Sequence, residues 1–464
     1  MHIHQIIEKS IHLIKIYDKN GNKVDSNQCL NEYYSIKNQL LNQYSCNDIV
    51  GIYFEKDYRY ILTLLACMSI GLTYIPLNIN WPNERIEQIV KLSGCYIIKE
   101  DMFNYNEFID TNNSKLINSD ILYIIFTSGS TGVPKGVKIS RNAYKAFLKW
   151  VDTYFKDITE YDKMLLTTDF TFDISLVDIS LLLTKNLTLY ISNFNNNVFK
   201  MLYELEKYKI TTHSTVPYNY SMIMQDGIFD KADLSSLKHI MIGGARFPNN
   251  LYNSFQKYLP NCIIYNFYGP TEATIYCSIY KFEYNETEVY NNNITIGKPF
   301  GENKFTVIDD ELYISGTQLM EGYLNNKEKT NEALVDKNGV IYYKSGDLVF
   351  KNNLGNYFIV GRKDDTIKVT GYRVNLSDID AYILQLNYIN NVATIAIENE
   401  TSENDLVSYI ILDNKDITIK QIKDNLKEIM PEYQIPKDIK IVEEFPLNNS
   451  GKICKLTLKE MFIN

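Results

Sequence analysis

The chain has 464 residues, 45% of them hydrophobic and 22% charged, a composition typical of a globular protein with two or three domains. Its formal net charge of −9 at pH 7 disfavours nonspecific binding to nucleic acid or anionic membranes, because such binding depends on an excess of lysine and arginine. The seven cysteines show no CxxC spacing, and no apolar stretch reaches the ~18 residues of a membrane span, so we expect a cytoplasmic protein without a disulfide framework or zinc site.

Short apolar strands alternate with amphipathic helices through most of the chain. The predicted elements are, in order, strand Ile49–Phe54, helix Tyr60–Ile70, strand Ile121–Phe126, a helix from Arg141, strand Met164–Thr168, helix Val198–Tyr208, and strands Thr211–Val216, Ile240–Gly243 and Ile263–Asn266. This alternation predicts an α/β fold of mainly parallel sheets flanked by helices, with ligands bound where strands end in loops.

The pattern changes in the last third of the chain. From Ile294 onward the segments are shorter and separated by glycine turns, which predicts a β-rich subdomain. Further on, a helix at Ser377–Leu386, two strands and a helix at Ile419–Met430 are typical of a small α+β domain. We therefore predict an N-terminal core over residues 1–362 and a small mobile C-terminal domain over residues 363–464.

The stretch "FTSGSTGVPKG" (Phe126–Gly136) follows a predicted strand and is rich in glycine and hydroxyl residues. Such a loop can surround phosphates with backbone N–H groups, hydroxyls and a lysine ammonium. It is not a Walker A loop, because Lys135 is followed by glycine rather than by serine or threonine. A solvated flexible linker is the alternative interpretation.

Three other polar stretches offer groups suited to a nucleotide. "NFYGPTEAT" supplies Tyr268, which can stack on a base, and Glu272, which can hold a magnesium ion bridging phosphates. "YKSGDL" supplies Asp347, a carboxylate able to accept hydrogen bonds from ribose hydroxyls. "GRKDD" supplies Arg362, whose guanidinium suits phosphate or ribose oxygens. Taken singly, these residues are equally compatible with a plain turn or a surface salt bridge.

Two further charged residues occupy unusual contexts. Asp173 lies among apolar residues in "FTFDIS", where a buried carboxylate is costly unless a cation compensates it. A cationic ligand would do so, and so would an internal lysine or arginine, or a helix-cap role. Lys452 lies in "PLNNSGKICK", where an isolated lysine is usually solvated.

As an ordered set, these motifs resemble the adenylate-forming superfamily of acyl-CoA synthetases, luciferases and nonribosomal-peptide adenylation domains. "LACMSIGLTYIPLN" (Leu65–Asn78), "ELYISGTQLMEGYL" (Glu311–Leu324), "GRKDDTIKVTGYRV" and "MPEYQIP" (Met430–Pro436) add to the resemblance, which covers residues 50–455. Within the superfamily, "FDIS" is similar to the amino-acid-activating branch, in which the aspartate pairs with the substrate ammonium. "LVDIS" is similar to D-alanine–carrier protein ligases, and the whole chain is also similar to free-standing peptide-synthetase adenylation domains.

The resemblance implies binding of ATP and Mg²⁺ and assigns roles by position. It implies that Lys452 is catalytic, that Asp364 is the hinge and that Glu272 is the metal ligand. The implied nucleotide-binding residues are Thr127, Ser128, Gly129, Ser130, Thr131, Gly132, Lys135, Asn266, Tyr268, Gly269, Thr271, Asp347 and Arg362. The implied substrate-pocket residues are Asp173, Ile174, Val177, Thr215, Met241, Gly243, Phe267, Ile275 and Tyr276.

The implied reaction forms an aminoacyl-AMP, whose acyl group then passes to a phosphopantetheine thiol. Apart from Asp173 the pocket residues are uncharged, and Met241, Phe267 and Tyr276 fill space, which favours a small neutral amino acid such as glycine or D- or L-alanine. The sequence ends at Asn464, soon after Lys452, and contains no "GGxS"-like attachment serine, so we expect a separate carrier protein as the acceptor and no nucleic-acid or membrane partner.

The chain departs from the family pattern at three places. It has Gly243-Gly244-Ala245 where the family often has Gly-Gly-Glu, Thr370–Asn375 where it usually has Arg-Gly-x-Arg-Ile-Glu, and Cys454 where an aspartate is common. Two alternatives remain at this point: an acyl- or aryl-acid–CoA ligase, and a noncatalytic homologue that serves as a scaffold.

Overall fold

The structure is a computed structural model, and it describes residues 2–105, 119–127, 134–194, 197–225, 229–282, 288–290, 293–363, 366–386, 388–401, 403–412, 417–446 and 453–463. The helices are α1 (Ile3–Ile11), α2 (Ser26–Gln43), α3 (Tyr58–Ile70), α4 (Asn83–Ser93), α5 (Arg141–Tyr154), α6 (Ser175–Lys185), α7 (Val198–Lys207), α8 (Pro217–Gln225), α9 (Asn249–Tyr258), α10 (Lys327–Ala333), α11 (Leu376–Ile383), α12 (Ile419–Lys427) and α13 (Lys455–Ile463). The strands are β1 (Lys15–Tyr17), β2 (Ile49–Ile52), β3 (Thr73–Pro76), β4 (Tyr96–Ile98), β5 (Ile121–Thr127), β6 (Lys135–Ser140), β7 (Lys163–Leu166), β8 (Thr188–Ile191), β9 (Thr212–Thr215), β10 (His239–Ile242), β11 (Ile263–Tyr268), β12 (Ser278–Lys281), β13 (Val289–Tyr290), β14 (Asn293–Ile294), β15 (Lys298–Pro299), β16 (Lys304–Ile308), β17 (Glu311–Ser315), β18 (Gly322–Tyr323), β19 (Leu334–Lys337), β20 (Val340–Lys351), β21 (Tyr357–Arg362), β22 (Thr366–Val369), β23 (Tyr372–Asn375), β24 (Ile389–Glu398), β25 (Asn404–Leu412) and β26 (Asp438–Ile441).

The chain separates into two compact units. The first, larger unit comprises Met1–Ile79, Val90–Phe126 and Gly136–Gly361, and the second comprises Asn80–Ile89, Thr127–Lys135 and Arg362–Asn464. The boundary between residues 362 and 363 that the sequence suggests stays a prediction. Among the described residues, no helix combines the length and the apolar character needed to cross a membrane.

The centre of the first unit is an eight-stranded sheet in the order β1-β8-β7-β9-β10-β11-β12-β15. Its strands from β1 to β11 pair in parallel, and β12 and β15 join antiparallel at one edge. Parallel strands have their carboxyl ends at the same edge of the sheet, so the loops that follow β7, β9, β10 and β11 lie together.

A second sheet of the first unit has the order β18-β6-β5-β3-β2-β4. Helix α3 runs between β2 and β3, begins where the Asp57 carboxylate accepts from the Tyr58 N–H at 2.8 Å, and ends at Gly71 with a φ of 81°. Every α3 residue from Tyr60 to Ile70 is buried, so this helix is part of the core rather than a surface helix. A smaller antiparallel sheet has the order β16-β17-β20-β19, with β21 also paired to β20, and forms the β-rich part.

The second unit has its own hydrophobic core. Strands β24, β25 and β26 form one sheet, and β22 pairs with β23 as a hairpin. Apolar side chains from α11, α12 and this sheet pack together, including Ile379, Ile383, Ile410 and Ile422. The α+β character expected for the C-terminal region is therefore present, and the fold class predicted from the sequence is confirmed.

Glu8 on α1 fixes that helix to α2 and α3. Its carboxylate accepts hydrogen bonds from the Tyr33 hydroxyl at 2.8 Å, the Tyr34 hydroxyl at 3.0 Å, the Lys37 ammonium at 2.7 Å and the Ser69 hydroxyl at 2.9 Å. Burial raises the pKa of Glu8, but Lys37 and the hydroxyl donors together outweigh it, and the pKa lies below its ordinary value.

We predict that Glu8→Gln lowers the free energy of unfolding at pH 7 by about 1–3 kcal/mol, because charge-assisted hydrogen bonds are lost. A carboxylate with a lowered pKa stabilises the fold above its unfolded pKa, and this stabilisation is lost as the pH falls through the folded pKa. Denaturant unfolding of the wild type and the variant should therefore converge below about pH 4. Lys9→Gln on the exposed face of α1 is the control, and a gap that stays constant from neutral to acid pH would contradict this role.

Candidate active site

Residues expected to line the substrate pocket follow the strands of the large sheet. Thr215 is the last residue of β9, Gly243 comes directly after β10, and Phe267 lies near the end of β11. Asp173 follows β7 after a six-residue loop. Because these strands are parallel neighbours, the four residues lie at the same edge of the sheet.

The loop between β7 and α6 is shaped by Asp169. Its carboxylate accepts from the Thr171 N–H at 2.9 Å and from the Asn78 amide at 3.0 Å. The chain then enters α6, where the Leu176 N–H donates to the Asp173 carbonyl at 2.9 Å. These bonds place Asp173 directly before the start of α6.

Asp173 is 7% exposed and lies close to two buried phenols. Burial raises the pKa of Tyr123 and of Tyr276 well above the ordinary value, and the Asp173 charge raises both pKa values further. Ile174, which precedes α6, and Val177, on its first turn, are the next predicted pocket residues, and both are buried. The structure thus brings a carboxylate, two aromatic rings and two aliphatic side chains together.

A second buried carboxylate, Asp178, lies in the first turn of α6 and is not among the residues predicted from the sequence. It is fully buried, and burial raises its pKa well above the ordinary value, while the Lys56 charge acts in the opposite direction. Lys56 donates to the Thr167 carbonyl at 2.8 Å, and burial lowers the pKa of Lys56 to about 8. An acidic and a basic side chain therefore lie near each other in this region, and burial disfavours the charged form of both.

Tyr276, another predicted pocket residue, is 1% exposed and packs against Phe267 and Gly243. Its ring stacks on Phe267 at a centroid distance of 4.8 Å and an interplanar angle of 15°. A Cβ atom at Gly243 would lie 2.3 Å from the Tyr276 hydroxyl oxygen, so only glycine at position 243 allows the phenol to lie there. Met241 is fully buried on β10, and the Thr215 hydroxyl accepts from the Asn219 amide at 2.8 Å.

The residues expected to bind the nucleotide begin on β11, the strand that also contains Phe267. The Asn266 amide donates to the Thr295 carbonyl at 2.8 Å. The Tyr268 hydroxyl donates to Asp347 Oδ2 at 2.5 Å, which brings together a base-stacking candidate and a ribose-binding candidate separated by 79 positions in the chain. Both Tyr268 and Asp347 are buried.

Gly269 and Thr271 lead from β11 into the metal-binding candidate. A Cβ atom at Gly269 would lie 2.4 Å from the Ile275 carbonyl oxygen, so the chain can turn back on itself only with glycine there. Thr271 begins a short 3-10 turn, Thr271–Ala273, which contains Glu272. Glu272 is 1% exposed, and its carboxylate accepts from the Tyr323 hydroxyl at 2.8 Å.

The donor set at Glu272 fits a magnesium ion that is held mainly by substrate phosphates. Mg²⁺ is usually bound through one or two carboxylates together with phosphate oxygens and water. No group of three or more His, Cys, Asp or Glu side chains suited to a metal ion occurs among the described residues, so a dedicated all-protein metal site is not found in them.

The remaining predicted site residues lie elsewhere. Thr127 ends β5, Lys135 begins β6, and Arg362 ends β21; all three belong to the second unit. Ser128, Gly129, Ser130, Thr131 and Gly132, the hinge candidate Asp364 and the catalytic candidate Lys452 lie outside the described residues. The first unit therefore contains the predicted amino-acid pocket together with Asn266, Tyr268, Gly269, Thr271, Glu272 and Asp347.

Two kinds of known protein are among those with related sequences. The chain is 28% identical over 433 residues to bacitracin synthase 1 of Bacillus licheniformis, covering 89% of this chain but only 8% of that protein. It is 29% identical over 451 residues to the D-alanine–D-alanyl carrier protein ligase of Listeria monocytogenes, covering 88% of each chain. The chain thus spans a small part of the synthetases and most of the length of the ligase.

Solved structures show the same fold. The Vibrio cholerae adenylation domain AlmE, solved in complex with glycyl-adenosine-5'-phosphate, superposes with a TM-score of 0.86 at 21% identity, covering 99% of this chain and 97% of that one. The amide bond synthetase McbA of Marinactinospora thermotolerans gives a TM-score of 0.86 at 16% identity, with both chains covered completely.

Family models match two parts of the chain. The model of the AMP-binding enzyme C-terminal domain matches residues 378–452. The model of the AMP-binding enzyme matches residues 38–324, which is more than half of the chain. On this evidence the protein belongs to the AMP-binding enzyme family.

Proposed function

We propose that this protein activates a small neutral amino acid with ATP and transfers it to the phosphopantetheine thiol of a separate carrier protein. The observation that carries the proposal is the buried Asp173 carboxylate at the sheet edge, beside Tyr123 and Tyr276. A carboxylate in that setting suits a substrate ammonium, which an acyl or aryl acid lacks. The names of the relatives, which include a D-alanyl carrier protein ligase, support the same proposal.

The inner wall of the proposed pocket limits the size of the substrate. The Tyr276 phenol lies where a side chain at position 243 would otherwise be, and it is fixed there by stacking on Phe267. A filled inner wall leaves little room beyond the substrate Cα, which supports glycine or alanine. The AlmE structure, which contains glycyl-adenosine-5'-phosphate, is consistent with a substrate of that size.

In the proposed first step, the amino-acid carboxylate attacks the α-phosphorus of ATP, the bond to pyrophosphate breaks, and aminoacyl-AMP and pyrophosphate form. Tyr268 would stack on the adenine, and Asp347 would accept from the ribose hydroxyls, with Asn266, Gly269 and Thr271 lining the same side. Arg362 would contact ribose or phosphate. Bound Mg²⁺ would supply charge neutralisation between phosphates, and Glu272 would be its protein ligand.

The phosphates would be held by the loop from Thr127 to Lys135, and Lys452 would neutralise charge that develops on the α-phosphate. In the proposed second step, the carrier thiol attacks the acyl carbon and AMP leaves. The thiol would take the place of Lys452 after a domain movement about Asp364.

A pyrophosphate-exchange screen over amino acids, aliphatic acids and aryl acids tests the proposed activity. We expect exchange with small amino acids only. Exchange confined to aliphatic or aryl acids would instead support an acid–CoA ligase, and absence of exchange with every acid would support a noncatalytic scaffold. Loading of a holo carrier protein in trans would then test the acceptor.

The role of Asp173 is tested by measuring which KM rises, that for the amino acid or that for ATP, when the carboxylate is removed. Asp173→Ala should raise the KM for the amino acid by about 10- to 100-fold, because a charge-assisted hydrogen bond is lost, and leave the KM for ATP within about twofold. Asp162→Asn is a matched control, since Asp162 is also buried but precedes β7, at the opposite edge of the sheet. Equal rises in both KM values for Asp173→Ala would contradict an ammonium contact.

Lys452→Ala should slow adenylate formation by about 10²–10³-fold and leave thiol transfer from supplied aminoacyl-adenylate unchanged, because the lysine acts only on the first transition state. The two half-reactions are measured separately, by pyrophosphate exchange and by carrier loading. Lys455→Ala, three positions later, should affect neither. Equal damage to both half-reactions by the Lys452 change would exclude the assigned role.

Tyr276→Val should raise kcat/KM for leucine relative to glycine by at least about tenfold, because a cavity replaces the phenol. Tyr276→Phe retains the ring and should leave this ratio nearly unchanged. Competition between the two amino acids in the exchange reaction measures it. If the ratio does not rise in Tyr276→Val, the inner wall of the pocket lies elsewhere.

A further inference from the structure

The segment that joins the metal candidate to the pocket wall has an unusual backbone. Thr274 has a φ of 56° and Ile275 a φ of 71°, both in the left-handed region. For β-branched residues this conformation is rare, and it costs about 1–3 kcal/mol per residue unless surrounding contacts hold it. The two residues lie directly between Glu272 and Tyr276, so the course of the backbone there decides where the Tyr276 ring points.

Gln318 forms hydrogen bonds to this left-handed turn. Its amide nitrogen donates to the Tyr276 carbonyl at 2.8 Å and to the Thr274 carbonyl at 3.2 Å. The Thr274 hydroxyl donates to the Gln318 backbone carbonyl at 2.6 Å. Gln318 is 2% exposed, so these bonds form away from water, where an unmade bond is costly.

The orientation of the Gln318 amide is fixed by Asn303. The Asn303 amide donates to the Gln318 side-chain oxygen at 2.9 Å, and both side chains are buried. Because that oxygen already accepts a bond, the NH₂ group must face the turn. Glutamate at this position would instead present an acceptor to the carbonyls of Thr274 and Tyr276, and an apolar residue would leave them without a donor.

The same stretch of chain also holds Glu272. The Met320 N–H donates to the Glu272 carbonyl at 2.8 Å, and the Tyr323 hydroxyl donates to its carboxylate at 2.8 Å. The segment Gln318–Tyr323 therefore makes two separate sets of contacts. Gln318 contacts the turn that carries the pocket wall, and Tyr323 contacts the carboxylate expected to bind the metal.

We propose that Gln318 is a positioning residue for the amino-acid substrate, which holds the left-handed turn so that Ile275 and Tyr276 form the pocket wall. The proposal rests on the function proposed above, and it adds a residue that does not itself touch the substrate. Tyr323 has the corresponding role toward Glu272, on the nucleotide side. The two side chains of one segment therefore affect different substrates.

The test compares Gln318→Met with Tyr323→Phe. Methionine retains the length and volume of glutamine but donates no hydrogen bond, so we expect the KM for the amino acid to rise by about tenfold, with the KM for MgATP within about twofold. Selectivity for glycine over leucine should also fall. Tyr323→Phe should give the reverse pattern, raising the KM for MgATP and leaving the KM for the amino acid nearly unchanged. Gln318→Glu, which also lacks the donor, should raise the KM for the amino acid at least as much as methionine does.

A buried glutamine in the second unit provides the control for loss of a buried amide. Gln434 is as buried as Gln318, and neither atom of its amide has a hydrogen-bond partner among the described residues. Gln434→Met should leave both KM values unchanged. Thermal unfolding of each variant identifies any that fail to fold. If Gln318→Met fails, Thr274→Val removes only the bond to the Gln318 carbonyl and should produce a smaller shift in the same direction.

Equal rises in both KM values for Gln318→Met, or a lower Tm with unchanged KM values and unchanged selectivity, would overturn the positioning role. Neither result would bear on amino-acid activation itself, because wild-type exchange tests that activity independently. Absence of exchange in the wild type would instead overturn the proposed function.

Discussion

The segment from Tyr268 to Tyr276 constrains the whole candidate site. Within these nine residues the chain carries a base-stacking candidate, the metal-binding candidate Glu272 and the pocket wall. It does so by turning back sharply at Gly269 and by adopting a left-handed conformation at Thr274 and Ile275. A backbone this strained keeps its shape only because contacts from outside the segment fix it. Gln318 and Tyr323 provide such contacts, each to a different part of the segment.

Several ionisable side chains are buried around this segment, and burying their charges costs free energy of folding. Asp173, Asp178 and Glu272 are all buried within the first unit. Burial raises the pKa of Asp178 well above its ordinary value and lowers the pKa of Lys56 to about 8, so the interior disfavours both charges. Stability alone would favour apolar residues at such positions. The buried ionisable side chains beside the proposed pocket are consistent with a site whose charges bind ligands, at a cost in stability.

The sequence predicted the parts of the fold that have a local signal. Strands β2, β5 and β11 and helix α3 lie where apolar runs and their boundaries placed them. Helix α6 is not among the predicted elements, because nearly all of it is buried and its sequence lacks the polar face that reveals a helix.

Residue chemistry in the sequence points to Asp173, Tyr268 and Asp347 as candidates, and the family motifs imply a role for each, which stays a prediction. Gln318 lies in a recognised motif, but its contacts are with residues 42 to 44 positions earlier and depend on how two loops pack. The reason for glycine at position 243 is likewise tertiary, since it depends on where the Tyr276 hydroxyl lies. No local pattern encodes either relationship.

The most direct measurement is a crystal structure of the protein with a nonhydrolysable aminoacyl-adenylate analogue and Mg²⁺. The account predicts that the α-ammonium group lies within roughly 3 Å of the Asp173 carboxylate, with the small side chain of the ligand against Tyr276. A structure in which Asp173 pairs with a lysine or arginine of the protein itself, with the ligand amine bound elsewhere, would contradict it.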